Sequence, residues 1–280
     1  MPNDNHPKTK KKCNIETGFL EYGLPFARIG NGDKILINIE ALSYKNEPPS
    51  GFLLKQIIKS FESFMDDYTI YHVGRKQNLP EGYLFDKMAD DYAVMIRSEF
   101  KGHVDVMGAS TGGQIAHYLA ANHPDVVRKL VIVSAAYRIS EKGAEIERKA
   151  EEYFKEGKIG KSLAASMDLV FSSKIKRRIA KFFISLIGKK IMGELKYPND
   201  FLNEIQADRE MNFINRLGEI KAPTLVISGE VDICYVVEDV RATAEGIPNA
   251  ELIIYNGYGH NLTISNRDQV YKDILKFLNS

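Results

Sequence analysis

The sequence predicts an α/β fold built on a mostly parallel sheet, and three observations carry that prediction. Short apolar runs of strand length alternate with amphipathic segments of helix length, the rhythm of strands joined by crossover helices that cover both faces of a sheet. One apolar run, beginning at Val104, passes straight into a helical segment, Ile115 to Ala121, through the small-residue turn Gly108-Ala109-Ser110-Thr111-Gly112-Gly113. The rhythm breaks only across residues 139–216, where strand signals vanish and the chain reads as helical and charged.

Taken in order, residues 1–17 read as a flexible basic tail carrying Lys8, Lys10, Lys11 and Lys12, without the apolar core of a signal peptide. Gly18 to Tyr22 and Pro25 to Ile29 alternate around Gly23, the pattern of an antiparallel hairpin. Lys34 to Ile39 is mostly apolar and reads as a buried strand. Pro48-Pro49-Ser50-Gly51 then breaks the chain before an amphipathic helix over roughly Phe52 to Met65. Tyr68 to Val73 is a strand, and Leu84 to Phe100 is a helix with Met88, Tyr92, Met95 and Ile96 at helical spacing. Lys129 to Ser134 is another continuous apolar strand. After the break, the strand Ala222 to Ser228 leads to a helix near Val236 to Glu245. The strand Glu251 to Tyr255 and a closing helix, Arg267 to Leu278, complete the chain.

With 280 residues, 44% apolar and 27% charged, the chain has material for one large core with an inserted subdomain. We therefore expect a core domain formed by residues 18–138 and 217–280, and a helical cap or lid over 139–216, too long a segment for a loop. A net charge of +1 supplies no global field for nucleic acid or membrane. Cys13 and Cys234 are too few for a disulfide framework or a thiolate metal site, and no stretch suits a bilayer span. A cytoplasmic enzyme is the expectation.

Within the insert, Phe171, Ile175, Ile179, Phe182, Phe183 and Leu186 recur at spacings of three and four, with Lys174, Arg178 and Lys181 near the margins. Such a stripe is expected to be buried, against the sheet domain or a substrate's acyl chain; a membrane-surface helix is the alternative. Gly157-Lys158-Ile159-Gly160-Lys161-Ser162 imitates a phosphate loop, but Lys155 stands where its first Gly belongs and no strand precedes it.

The turn Gly108-x-Ser110-x-Gly112 carries the chemistry. A strand that turns at once into a helix forces its central residue into a strained conformation with the side chain projecting above the sheet. Residues two positions away would collide with the turn, hence glycine at both. The helix N-terminus offers free N–H groups to a developing oxyanion. Downstream, Gly229-Glu230-Val231-Asp232 follows one strand and Gly257-Tyr258-Gly259-His260 follows the next, so both lie on the rim that carries Ser110. Ser110, Asp232 and His260 run in the chain order Ser, Asp, His of a nucleophile, its orienting acid and its base on such a scaffold. His72, which ends a strand on the same rim, is the main rival to His260. His6, His103, His117 and His123 are placed less well, and Glu230 and Asp239 compete with Asp232.

On these three motifs the chain resembles the α/β-hydrolase family from about Gly18 to its C-terminus. The resemblance implies an eight-stranded sheet whose first strands are antiparallel, with a cap inserted after the sixth. It also implies an oxyanion hole formed by the backbone N–H of Thr111 and one from the loop after the third strand. That loop reads Asn38-Ile39-Glu40-Ala41 where family members often carry His-Gly, which makes the N–H of Glu40, or of Ile39, the positional equivalent. Ser110 as nucleophile separates the chain from the dehalogenase and epoxide-hydrolase branches, which need Asp there.

The leading expectation is a serine hydrolase of a small or medium carboxylic ester, thioester or lactone, working through an acyl-enzyme. It takes a small-molecule acyl substrate, and no cofactor or metal, since water is the second substrate. Hydrolysis of a carbon–carbon bond by the same triad is one alternative. A ligand- or partner-binding protein with slow turnover, suggested by the altered loop, is another.

Overall fold

The computed structural model describes residues 14–170 and 174–280, so the basic tail up to residue 13, and Phe171, lie outside the described residues. Eight strands form one sheet: β1 Ile15–Phe19, β2 Pro25–Gly30, β3 Lys34–Ile39, β4 Tyr68–Val73, β5 Val104–Ala109, β6 Val127–Val133, β7 Thr224–Gly229 and β8 Ala250–Tyr255. Their order is β1-β2-β4-β3-β5-β6-β7-β8. The β1–β2 and β2–β4 pairs are antiparallel, and every pair from β4–β3 to β7–β8 is parallel. The hairpin begins earlier than expected, because Ile15 and Glu16 pair with Ile29 and Arg28 and extend the ladder beyond Gly18.

The helices follow the strands. They are α1 Gly51–Ser60, α2 Phe85–Glu99 and α3 Thr111–Asn122, then α4 Glu141–Lys155, α5 Ile159–Val170, α6 Lys174–Met192 and α7 Pro198–Glu210, and finally α8 Val237–Gly246, α9 Leu262–Ser265 and α10 Arg267–Asn279. The first ends sooner than its periodicity suggests and is followed by a tighter turn at Glu62–Phe64. Phe61 and Phe64 pack edge-on against Tyr271, and that buried aromatic cluster draws the chain out of its helical path.

Alternation along each parallel strand divides the core between the two faces. Ile37, Val106, Ile132 and Val226 face α2, α3 and α8, while Leu36, Met107, Val131 and Leu225 face α1 and α10. Both faces are therefore covered, and the rim at the strands' carboxyl ends is left to carry chemistry.

Helices α4 to α7 all lie between β6 and β7. The apolar stripe of α6 does not turn inward as expected. Ile175, Ile179, Phe182, Phe183 and Leu186 are between 54% and 75% exposed. The opposite face of α6 packs on α5, where the backbones come so close that a Cβ on Gly160 would lie 2.4 Å from the Ser185 carbonyl oxygen. Asp168 on α5 reinforces that choice of face by drawing in Lys181 (2.6 Å) and Arg177 (3.4 Å).

Candidate active site

Ser110 sits between β5 and α3 with φ 53° and ψ −127°, a positive φ that a residue with a Cβ adopts only under local compulsion. The compulsion is steric. A Cβ on Gly108 would meet the Gly112 carbonyl oxygen at 2.2 Å, and one on Gly112 would meet the Ile39 and Glu40 carbonyl oxygens at 2.4 and 2.7 Å. The turn therefore closes only with glycine at both positions, and it lies directly against the loop that follows β3.

The loops after β7 and β8 are stitched to one another. Val231 N–H donates to the Tyr258 carbonyl (2.9 Å), Glu230 N–H to that of Tyr255 (3.0 Å), and Gly257 N–H to the Glu230 carboxylate (3.0 Å). This sets Asp232 beside His260, with His260 Nδ1 2.9 Å from Asp232 Oδ2 and His260 Nε2 3.1 Å from Ser110 Oγ. Asp232 is buried, and its other oxygen accepts the N–H groups of Cys234 (2.8 Å) and Tyr235 (3.3 Å), which fixes the carboxylate plane. Burial alone would lower the pKa of His260, but the attraction and hydrogen bond of Asp232, with Asp208 nearby, raise it above its ordinary value.

The rival residues are engaged elsewhere. His72 Nδ1 lies 2.6 Å from Asn38 Nδ2, and its other ring nitrogen is 3.9 Å from Glu40. His117 is buried in α3 against the Gly113 carbonyl, and desolvation lowers its pKa to about 4. Asp239 pairs with Arg138 and Tyr137.

The two N–H groups expected to serve as oxyanion donors, those of Thr111 and Glu40, differ in their surroundings. Thr111 N–H opens α3 and has no hydrogen-bond partner among the described residues, as the first turn of a helix requires. Glu40 N–H does not stand free as expected, because it donates to the Val73 carbonyl at 3.0 Å and extends the β3–β4 ladder by one residue. Ala41 N–H, next along, has no partner among the described residues. The same loop is gripped by Arg75, which donates to the carbonyls of Glu40 (2.6 Å) and Ala41 (3.0 Å).

Arg75 and its partner were not legible in the sequence. Its guanidinium is buried and meets Glu204 of α7 at 2.6 Å, and Glu204 also accepts the Thr111 hydroxyl at 2.6 Å. Burial pushes the Glu204 carboxyl up to about 7 against the pull of Arg75 and the Thr111 hydrogen bond. One carboxylate from the insert thus ties the start of α3 to the loop after β3. A second junction lies alongside. Asp208 of α7 accepts from Gln114 (3.1 Å) and from Tyr235 (3.0 Å), and the Tyr235 ring packs on His260 with centroids 5.7 Å apart. Burial and the neighbouring Asp208 push the Glu147 carboxyl well above the usual carboxylate range. Position hints at Arg75 alone, since it follows the strand end at Gly74. Nothing local hints at Glu204.

Glu204→Ala strands a buried guanidinium and is expected to cost about 3–5 kcal/mol in chemical denaturation. Replacing Arg75 and Glu204 together with apolar residues of similar volume should recover most of that loss. A single-mutant cost under ~1 kcal/mol would mean that the pair does not hold the two segments together.

Among the described residues, no group of three or more His, Cys, Asp or Glu side chains could hold a metal ion, and no helix is long and apolar enough to cross a membrane.

Comparison with known proteins agrees with this architecture. A family model described as alpha/beta hydrolase fold matches residues 73–266. The chain is 28% identical over 210 residues to the AB hydrolase superfamily protein YisY of Bacillus subtilis, covering 71% of this chain and 75% of that one. It is 25% identical over 219 residues to the bifunctional esterase/perhydrolase DCH of Acinetobacter calcoaceticus, covering 74% and 78%. A crystal structure of a hydrolase from Pseudomonas aeruginosa superimposes with a TM-score of 0.76 over 95% of this chain and 99% of that one, at 15% identity, a likeness of fold.

Proposed function

The chain belongs to the α/β-hydrolase fold family and is a hydrolase, and on that premise we propose that it cleaves a small or medium carboxylic ester, thioester or lactone through an acyl-enzyme on Ser110. The observation that carries this reading is the continuous hydrogen-bond chain from Ser110 Oγ through His260 to Asp232, at 3.1 and 2.9 Å. In the proposed cycle His260 Nε2 takes the Ser110 proton as Oγ attacks the acyl carbon, and returns it to the leaving group. Asp232 holds the imidazole in the tautomer with the proton on Nδ1 and stabilises the cation. Water, activated by the same histidine, then releases the acid. Thr111 N–H is one oxyanion donor.

For the second donor we assign Ala41 in place of Glu40. Arg75 holds the Glu40 carbonyl, and in a trans peptide the N–H of the same unit, that of Ala41, points the opposite way. Helices α4 to α7 act as the cap in this reading, with α7 reaching the reaction centre through Glu204 and Asp208.

A second reading, a ligand-binding protein with slow turnover, draws support from the occupied N–H of Glu40. A panel of activated esters graded by acyl length separates the two. Steady turnover on at least one ester supports the hydrolase. A stoichiometric burst followed by no turnover supports the binding protein.

The same assay carries a pH prediction. His260 must be neutral to act as base, and its pKa is raised, so kcat/KM is expected to climb with pH along a limb whose midpoint lies above the ordinary histidine value of about 6.5. The linked stability has the opposite sense. The His260–Asp232 attraction contributes fully below the unfolded-state pKa and fades as pH rises through the folded one. A limb midpoint below the ordinary value would contradict the assignment of Asp232 as partner.

A further inference from the structure

The outward face of α6 is an unusual thing to leave in water. Ile175, Ile179, Phe182, Phe183, Leu186 and Ile187 are each 47–75% exposed and share one side of the helix. Helix α6 reads KIKRRIAKFFISLIGKKIM, with no acidic residue along its length. Arg177 and Lys181 are spent on Asp168, but Arg178, Lys189 and Lys190 are exposed and have no carboxylate partner among the described residues. Beside the apolar face lies a cavity of about 290 Å³ lined by Lys149, Tyr153, Lys161, Lys181 and Phe182, with no carboxylate in its wall. Phe182 borders both the cavity and the apolar face. Apolar rings are thus presented next to a concentration of ammonium and guanidinium groups, although the chain as a whole carries only +1.

We propose that this face of α6 docks the protein on an anionic lipid surface, its apolar side chains entering the acyl boundary and the Lys149–Lys161 cavity receiving acidic headgroups. Charge decides the occupant. A two-fold contact between copies would set one acid-free cationic helix against another, so like charges oppose a self-association that hydrophobicity alone would favour. A substrate's acyl chain does not account for the basic cavity. An anionic bilayer satisfies both halves of the surface, as in amphipathic helices that lie in the interface plane.

The absence of tryptophan from the chain makes the test direct. In full-length protein carrying Phe182→Trp, emission in dilute buffer is expected to be that of an exposed indole. It should shift to the blue on vesicles of phosphatidylcholine with about 30% phosphatidylglycerol, and stay in place on phosphatidylcholine alone. Salt at about 0.5 M should reverse the shift. Adding Lys149→Gln or Lys161→Gln should lower the partition coefficient by roughly fivefold each. Ser110→Ala should bind as the parent does, which keeps docking separate from catalysis. No shift on anionic vesicles, or an equal shift on neutral ones, would overturn the proposal. So would a blue shift without lipid that grows with protein concentration alongside a dimer in sedimentation velocity, because the face would then belong to a second copy.

Discussion

Ser110→Ala is expected to remove ester hydrolysis almost completely, with turnover falling by about 10⁴- to 10⁶-fold while the protein stays folded. The size of the effect follows from the route. Without Oγ there is no acyl-enzyme, and the residual rate comes from water attacking a substrate still held near Thr111 N–H. The small effect on stability also follows from the geometry. Alanine keeps the Cβ and so keeps the strain of the positive φ, and the only hydrogen bond lost is the one between Ser110 and His260. A neutral hydrogen bond of that kind contributes about 0.5–1.5 kcal/mol. Thermal melting beside an activated-ester assay measures both quantities. Activity equal to the parent would end the nucleophile assignment, whereas a collapsed melting transition would move the test to Ser110→Gly, which relieves the backbone strain.

Asp232→Asn is expected to lower turnover by about 10⁴-fold. The carboxamide can keep one oxygen toward the N–H groups of Cys234 and Tyr235. It then presents its NH₂ to His260 Nδ1 and selects the tautomer that carries the proton on Nε2, where a base needs a lone pair. Loss of the carboxylate also removes what raises the histidine pKa, so the acidic limb of residual activity should move to lower pH. Glu230→Gln is the matched control. Glu230 is exposed and its carboxylate holds only the N–H of Gly257, so its loss should leave turnover within a few-fold of the parent. The reverse pattern, with Glu230→Gln damaging and Asp232→Asn harmless, would exchange the roles of the two acids.

The parts of the fold that the sequence made legible are those fixed by short-range physics. Strands such as Lys34–Ile39 and Tyr68–Val73 are mostly apolar because both faces of the sheet are covered there, and they lie where expected. The turn at Ser110 is readable because its two glycines answer clashes with backbone only a few residues away or in the adjoining loop. Ser110, Asp232 and His260 could be nominated because each follows a strand that ends on the same rim, and in the structure they lie within hydrogen-bond distance of one another.

What escaped depends on partners far along the chain. Periodicity establishes that α6 has an apolar stripe but cannot say which side meets α5. Gly160 and Asp168 decide that, and they decide against burial of the stripe. Strand ends are blurred in sequence, and one further ladder bond to Val73 occupies the N–H of Glu40. The Arg75–Glu204 pair spans 129 positions and leaves no local pattern at all, yet it connects the insert to both walls of the site.

The central claim is that Ser110 is an activated nucleophile, and reaction with a fluorophosphonate followed by peptide mass spectrometry tests it most directly. One equivalent of adduct located on Ser110 is the predicted result, with labelling faster above the His260 pKa than below it and lost in Asp232→Asn. An unlabelled protein, or an adduct on any other serine, would contradict the account.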